Sequence, residues 1–229
     1  MPTMYEKLLQ LPLFQGLTLN DLTLILGKVK LRFESYQPGE EFISAGSECK
    51  RLYFVLDGTV QKTTAGKGEI PFRVQETFGP PYMVELFSLF GRETVYHSSY
   101  TAVDQVNTIN FHKRFLTEEL AAFPIIEMNS RNILSARIQG LHDRLWGTPP
   151  ESAESLIANF LLNHVEKTEG EKVFHLAKTD LAKYIHQSLH KTETALASMQ
   201  KQGLLSYERN MLILPEASDL LPLYGGGGL

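Results

Sequence analysis

Between residues 29 and 111 the apolar residues come in short runs that alternate with turn-forming residues. Runs such as residues 51–56 and 108–111 are too short for helices but have the length of buried strands. Turn residues separate them at Pro38-Gly39, Asp57-Gly58, Gly66-Lys67-Gly68 and Gly79-Pro80-Pro81. Short strands at this spacing predict a compact all-β sandwich or barrel.

The period changes after Pro124, where one long amphipathic helix is predicted. Ile126, Ile133 and Gly140 recur at seven, and a second row recurs at three and four, formed by Leu134, Ile138, Leu141 and Leu145. This apolar surface exceeds what a solvated helix needs, so we expect it to pack partly on its own barrel and partly against a twin helix in a dimer. Prolines end the helix within residues 147–150, which we interpret as a hinge.

Shorter elements are predicted at both ends of the chain. Residues 8–30 have a helical pattern, with cap-forming residues at 18–21. Beyond the hinge the pattern predicts, in order, a helix (151–167), a strand (172–176), two helices (about 179–186 and 188–202) and a hairpin (204–214). Gly203 is placed to end the last helix, and glycines 225–228 form a tail without packing capacity.

The two helices before Gly203 are a candidate helix-turn-helix. Their inward faces are apolar, and Ser188 stands where an N-cap should start the second helix. A helix begun in this way can enter a major groove, although the same hairpin is also compatible with plain packing. The following hairpin resembles the wing of a winged helix. The candidate DNA contacts are Ser188, Leu189, His190, Lys191, Glu193, Thr194 and, near the wing tip, Arg209.

Composition narrows the classes of function. The formal net charge of −4 gives no global attraction to nucleic acid, and the single cysteine, Cys49, excludes an intrachain disulfide. No apolar run approaches the roughly 20 residues that span a bilayer, and the first residues lack a signal-peptide core, so a cytoplasmic protein is expected. His186 and His190 straddle the inter-helix turn without a following glutamate, so no metal site is predicted. No spacing suggests a catalytic triad, and no enzyme is predicted.

Four stretches, spread over nearly the whole chain, resemble the family of the cyclic-AMP receptor protein and the fumarate-nitrate reductase regulator (Crp/Fnr). They are residues 13–17 (LFQGL), 38–43 (PGEEFI), 45–58 (AGS through LYFVLDG) and 180–205. The resemblance implies an α+β fold: a double-stranded β-helix (jelly-roll, cyclic-nucleotide-binding-like) sensor at 1–123, a dimerisation helix at 124–147 and a winged helix-turn-helix at 148–229. It implies a homodimer that regulates transcription at a palindromic operator, with double-stranded DNA and RNA polymerase as partners and no membrane.

The effector pocket that the resemblance implies comprises Val84, Glu85, His97, Ser98, Leu141 and His142. Glu85 keeps the family's ribose-contacting carboxylate, but Val84 replaces the glycine whose backbone approaches the phosphate. His97 stands where the family has arginine, and a mostly neutral imidazole cannot replace a bidentate guanidinium. Cyclic AMP is therefore not expected. Another small molecule, or no effector at all, is the expectation.

Two further alternatives remain open from the sequence. Some Crp/Fnr relatives bind haem, and this chain offers ligand types at Pro2, Cys49, Met83, His97, Met128 and His142. In the second helix of the helix-turn-helix, Leu189 and Thr194 stand where the family usually has arginines, and acidic residues outnumber basic ones after Thr148. A ligand-binding or interaction protein that has lost DNA binding is therefore the competing hypothesis.

Overall fold

The computed structural model describes residues 3–28, 30–147 and 150–224. The chain divides into two compact units, each with its own buried core. Unit 1 comprises Met1–Lys62 and Phe78–Gln139, and unit 2 comprises Thr63–Thr77 and Gly140–Leu229. The glycine tail and part of the hinge named above lie outside the described residues.

The elements are as follows. The helices are α1 (Met4–Leu9), α2 (Leu19–Lys28), α3 (Arg114–Glu118), α4 (Pro124–Trp146), α5 (Ala153–Asn163), α6 (Lys178–Tyr184) and α7 (Leu189–Lys201). The strands are β1 (Arg32–Tyr36), β2 (Glu41–Ile43), β3 (Arg51–Asp57), β4 (Val60–Ala65), β5 (Arg73–Phe78), β6 (Tyr82–Met83), β7 (Ser98–Ala102), β8 (Val106–His112), β9 (Lys172–His175), β10 (Ser206–Glu208) and β11 (Met211–Leu214). Short 3-10 turns lie at Pro12–Phe14, Leu86–Ser88, Leu120–Ala122 and Ala217–Leu223.

The N-terminal helical segment is interrupted rather than continuous. Pro12 begins a 3-10 turn, and Gly16 has a φ of 82°, a left-handed conformation that ends helical geometry. The predicted cap at Thr18 is confirmed. The backbone N–H of Asp21 donates to Thr18 Oγ1 (3.1 Å), and the backbone N–H of Thr18 donates to Asp21 Oδ2 (2.9 Å). These reciprocal bonds satisfy two of the amides that helix α2 would otherwise leave unpaired.

Unit 1 contains the predicted β-sandwich. One sheet has the strand order β1-β8-β3-β6, and in the other β4, β7 and β2 are neighbours in that order. Strands β3 and β8 are antiparallel, with Leu52 opposite Phe111 and Phe54 opposite Ile109, and all four side chains are buried. The apolar runs at 51–56 and 108–111 therefore lie in paired, largely buried strands, as their length predicted.

Helix α4 begins at Pro124 and ends at Trp146, as the sequence predicted. Proline suits the first helical position because its missing N–H has no partner there in any case. Ile126 is buried in the core of unit 1, whereas Ile138, Leu141 and Leu145 are half-exposed or more (65%, 50% and 82%). Among the described residues, no helix combines the length and the apolar character needed to cross a bilayer.

Unit 2 contains the predicted helix-turn-helix and hairpin. Its core is formed by apolar side chains from α5, α6, α7, β9 and β11, among them Leu161, Phe174, Leu181, Leu196 and Leu212. Helix α5 is shorter than predicted: Ser152 caps it by accepting from the backbone N–H of Ser155, and it ends at Asn163.

The hairpin of β4 and β5 brings residues 63–77 into unit 2. Strand β5 pairs antiparallel with β9, so that the strands of unit 2 are neighbours in the order β10-β11-β9-β5. Phe72 and Val74 from the hairpin are buried in the core of unit 2. The predicted domains at 1–123, 124–147 and 148–229 are divided by expected role, whereas the two units are divided by internal contacts. The predicted bounds therefore stay a prediction.

Candidate DNA-reading surface and effector pocket

Helices α6 and α7 are joined by a tight turn. His186 has a φ of 51° in this turn, and the backbone N–H of Gln187 donates to the carbonyl of Ala182 (3.0 Å). Ser188 caps α7, as predicted, because its hydroxyl accepts from the backbone N–H of Lys191 (3.3 Å). Thr192 is fully buried and donates its hydroxyl to the carbonyl of Ser188 (3.0 Å). The start of α7 is therefore held firmly against the unit.

The predicted contact residues of α7 are all exposed: Ser188, Leu189, His190, Lys191, Glu193 and Thr194. The inward positions Ala195, Leu196 and Met199 are buried, so α7 presents to solvent a mostly polar face that includes the apolar Leu189. Not every polar group on this face is available to DNA. Glu193 lies 3.9 Å from Lys178, and the Thr194 hydroxyl donates to the carbonyl of His190 (2.9 Å).

The wing is a hairpin with a two-residue turn at Arg209 and Asn210. Both residues have positive φ (49° and 65°), as a type I′ turn requires. Asn210 Oδ1 accepts from the hydroxyl of Tyr207 (3.2 Å), and the backbone N–H of Leu176 donates to the carbonyl of Asn210 (2.8 Å). Arg209 is exposed at the tip, which is where the sequence placed it.

Two basic side chains of this surface carry charge that no acid neutralises. In residues 150–224, Lys178 pairs with Glu193 and Lys183 pairs with Asp180 (2.9 Å). Lys191 and Arg209, by contrast, are exposed and lie beyond 4 Å of any described carboxylate. These two cations are therefore the ones best able to neutralise an anion.

In unit 1, Glu85 forms a closed hydrogen-bond network. Its Oε2 accepts from the backbone N–H of His97 (2.8 Å) and the hydroxyl of Ser88 (2.7 Å), and its Oε1 accepts from the backbone N–H of Ser98 (2.9 Å) and the hydroxyl of Tyr100 (3.2 Å). The Glu85 side chain is 1% exposed. Since the Ser88 proton is given to the carboxylate, His97 Nδ1, 3.0 Å from Ser88 Oγ, is assigned as a donor.

The structure brings four of the six predicted pocket residues together. Val84 is buried, and its backbone N–H donates to the carbonyl of Tyr53 (2.9 Å), while Glu85 takes the strained left-handed conformation (φ 35°). The remaining two, Leu141 and His142, lie on the part of α4 that belongs to unit 2, and both are exposed. Their role in an effector pocket stays a prediction.

The sequence missed Ser88 and Tyr100 as members of this network. Ser88 follows Glu85 by three residues in a 3-10 turn, a spacing that could have suggested the contact. Tyr100 reaches the site from β7, and nothing in the local sequence points to that pairing.

The described candidate haem ligands lie in different surroundings. Within the described part of the chain, no group of three or more His, Cys, Asp or Glu side chains could hold a metal ion. Met128 and His142 are exposed, Cys49 is buried, and His97 is bonded to Ser88. Pro2 lies outside the described residues.

Cys49 is expected to be unreactive in the folded protein. Burial raises the pKa of its thiol to about 11, so at pH 8 only about 0.1% is thiolate, against roughly a quarter for an unperturbed cysteine. Modification by a disulfide reagent at pH 8 should be at least about a hundredfold slower than in the urea-unfolded chain. Comparable rates in the two states would return Cys49 to the list of candidate ligands.

The fold and these sites define a protein that joins a cyclic-nucleotide-binding-like β-sandwich to a winged helix-turn-helix. Over 93% of its length the chain is similar to the crystal structure of the catabolite activator protein of Thermus thermophilus, with a TM-score of 0.50, 18% identity and 98% of that chain covered. This similarity shows the fold, and it confirms the predicted fold class.

In sequence, the chain is 23% identical over 203 residues to the fumarate nitrate reduction regulatory protein of Klebsiella oxytoca, covering 85% of this chain and 79% of that protein. A segment of 69 residues is 36% identical to a hyperpolarization-activated cyclic nucleotide-gated channel of Mus musculus, which is 30% of this chain and 8% of the channel. No protein-family model matches the chain. The resemblance to the Crp/Fnr family is thereby confirmed, because a fumarate nitrate reduction regulatory protein is similar in sequence over most of this chain.

Proposed function

We propose that this protein is a DNA-binding transcription regulator of the Crp/Fnr type. It acts as a homodimer, reads a two-fold symmetric operator and responds to an effector other than cyclic AMP. The observation that carries the proposal is the capped start of α7, which presents His190 and Lys191 beside a wing tipped by Arg209. A capped helix with exposed polar first turns is the element that enters a major groove in helix-turn-helix proteins.

The distribution of charge supports DNA binding despite the acidic balance of the chain. Phosphate neutralisation depends on the few cations that meet the backbone rather than on net charge. Lys191 and Arg209 are exposed and unpaired within residues 150–224, whereas Lys178 and Lys183 are held by carboxylates. DNA is the proposed target, so the cytoplasm is the proposed location and RNA polymerase a proposed partner.

The exposed apolar stripe on α4 supports the homodimer. Ile138, Leu141 and Leu145 follow one another at the three- and four-residue spacing of one helix face, and Trp146 adds a side chain that is 79% exposed. A soluble helix seldom exposes such a row, and a second copy of the same helix would bury it as a coiled coil. Dimer symmetry would then place two copies of α7 about one turn of DNA apart.

The Glu85 network supports an effector other than cyclic AMP. The carboxylate that would contact a ribose already accepts four hydrogen bonds from the protein, and Val84 adds a side chain where the family has none. In the proposed mechanism, the effector shifts the population between arrangements of the dimer helices, which re-aims the winged helices.

The test is to incubate the purified protein with fragmented genomic DNA from its host, with and without haem and cyclic nucleotides, and to sequence the retained fragments. We expect a two-fold symmetric motif with half-sites about 34–36 Å apart. Replacing both His190 and Lys191 with alanine should weaken binding to that motif at least tenfold, because each base contact contributes roughly 1–3 kcal/mol.

Lys201→Ala is the matched control. It removes the same charge from the other end of α7, about 15 Å along the helix from Lys191, and should leave the affinity within about twofold. If no motif is retained under any condition, the regulator proposal fails, and a ligand-binding or interaction protein of the same architecture takes its place.

A further inference from the structure

The β4–β5 hairpin is held in unit 2 by its backbone, by an aromatic cluster and by a buried ion pair. Strand β5 pairs with β9 over four residues, from Arg73 opposite His175 to Glu76 opposite Lys172. Lys172 Nζ lies 3.8 Å from Glu76 Oε1, and both side chains are 2% exposed. The backbone of this hairpin is therefore held in the same unit as the wing.

The aromatic cluster fixes the turn of the hairpin as well. The Phe72 ring packs edge-on against Phe160 (5.5 Å), His164 (4.8 Å) and Tyr184 (5.3 Å), all measured between ring centroids. The Tyr184 hydroxyl also donates to the carbonyl of Ile70 (2.7 Å). Tyr184 ends α6, so the hairpin is bonded directly to the helix-turn-helix.

The strand register places Arg73 beside the wing. Arg73 lies opposite His175, and His175 lies opposite Met211, which directly follows the wing turn of Arg209 and Asn210. Directly opposed residues share one face of a sheet, so Arg73 and Met211 lie on the same face about two strand spacings, or roughly 10 Å, apart. Arg73, His175 and Arg209 line a common open cleft of about 560 Å³.

The charge of this cleft is suited to a polyanion. Arg73 is exposed, and no carboxylate of the described residues lies within 4 Å of it, which is also true of Arg209. The carboxylate that lines the cleft, Asp180, is paired with Lys183 at 2.9 Å and is largely covered. Two exposed residues with permanently charged guanidinium groups thus line the cleft.

We infer that Arg73 binds a phosphate of the operator, making the β4–β5 hairpin a second DNA-backbone contact beside the wing. The inference rests on the proposed function, because it extends the same DNA-reading surface. The ligand is the phosphodiester backbone rather than a base, because a guanidinium on a strand next to the wing can reach a phosphate without entering the major groove. The contact adds affinity but carries no sequence information.

The test measures the salt dependence of binding to the retained motif. Each neutralised phosphate contributes about 0.9 to the slope of log K against log salt. Arg73→Ala should make this negative slope less steep by that amount. The affinity ratio of wild type to variant would then change about 3.5-fold between 50 and 200 mM salt. The retained sequence motif should not change, and Arg73→Lys should keep the slope.

Controls separate this inference from the proposed function. Lys201→Ala should leave the slope unchanged, and circular dichroism should show Arg73→Ala folded, since the side chain is exposed. An unchanged slope for Arg73→Ala, with binding still weakened by the His190 and Lys191 substitutions, would overturn the hairpin contact alone. If the wild-type protein itself binds no motif, both the hairpin contact and the proposed function are overturned.

Discussion

Replacing Phe72 with alanine is expected to lower the free energy of unfolding of unit 2 by about 3 to 4 kcal/mol, the usual cost of removing a buried phenyl ring. The Phe72 side chain is buried against Phe160, His164 and Tyr184, and its ring also lies over Gly66, where any added Cβ would stand 2.2 Å from a ring carbon. Phe160 and Tyr184 lie on helices α5 and α6, and His164 directly follows α5, so the surrounding rings cannot easily close the space.

The measurement is urea unfolding, combined with hydrogen exchange to assign the loss to one unit. Exchange of amides in β9, whose strand pairs with β5, should accelerate, while amides in β3 and β8 should be unaffected. Phe33→Ala is the matched control, because that phenyl ring is 63% exposed and its removal should cost less than about 0.5 kcal/mol. Equal losses for the two variants would show that the hairpin is not part of the core of unit 2.

Glu85→Gln is expected to lower the free energy of unfolding of unit 1 by about 3 kcal/mol. Glutamine has nearly the same shape, but its NH₂ group replaces an oxygen that accepts two hydrogen bonds. On either side of the network, one of those two donors is a backbone N–H that cannot turn away. The substitution therefore leaves a buried amide unpaired and removes charge-assisted bonds, each worth roughly 1.5–3 kcal/mol.

Glu118→Gln is the matched control, since Glu118 is exposed in the same unit and should lose less than about 0.5 kcal/mol. Thermal unfolding with and without cyclic AMP completes the experiment. The wild-type midpoint should not rise at millimolar nucleotide, because a ligand stabilises only a site it can enter. A loss below about 1 kcal/mol together with a clear shift by cyclic AMP would make Glu85 a ligand contact rather than a structural carboxylate.

Much of the candidate DNA surface could be predicted because its determinants are local. Ser188 caps the helix that starts one residue later, and the exposed positions follow from a period of 3.6 residues once the inward face is known. Arg209 falls at the wing tip because it lies near the centre of the hairpin that the sequence predicted at 204–214. The local sequence could not predict which cations remain unpaired, because pairing such as that of Lys178 with Glu193 joins two different helices.

The effector pocket was predicted less completely. Glu85, His97 and Ser98 came from resemblance, and the structure joins them, but it adds Ser88 and Tyr100 as donors. The resemblance implies that Glu85 faces a ligand, which stays a prediction, and the structure shows its carboxylate accepting hydrogen bonds from four protein donors. Neighbouring strands decide which donors a buried carboxylate accepts hydrogen bonds from, and the local sequence does not specify which strands are neighbours.

The sequence by itself determined the succession of elements, the sandwich of unit 1, the long helix from Pro124 and the outward face of α7. Each follows from periodicity and capping within a few residues. Only the tertiary structure decided that the β4–β5 hairpin joins unit 2, because strand pairing between Arg73 and His175 spans distant parts of the chain and leaves no periodic mark on either segment. A turn sequence such as Gly66-Lys67-Gly68 specifies a reversal of the chain, but which core receives the reversed strand depends on the shape and free edge that each core offers.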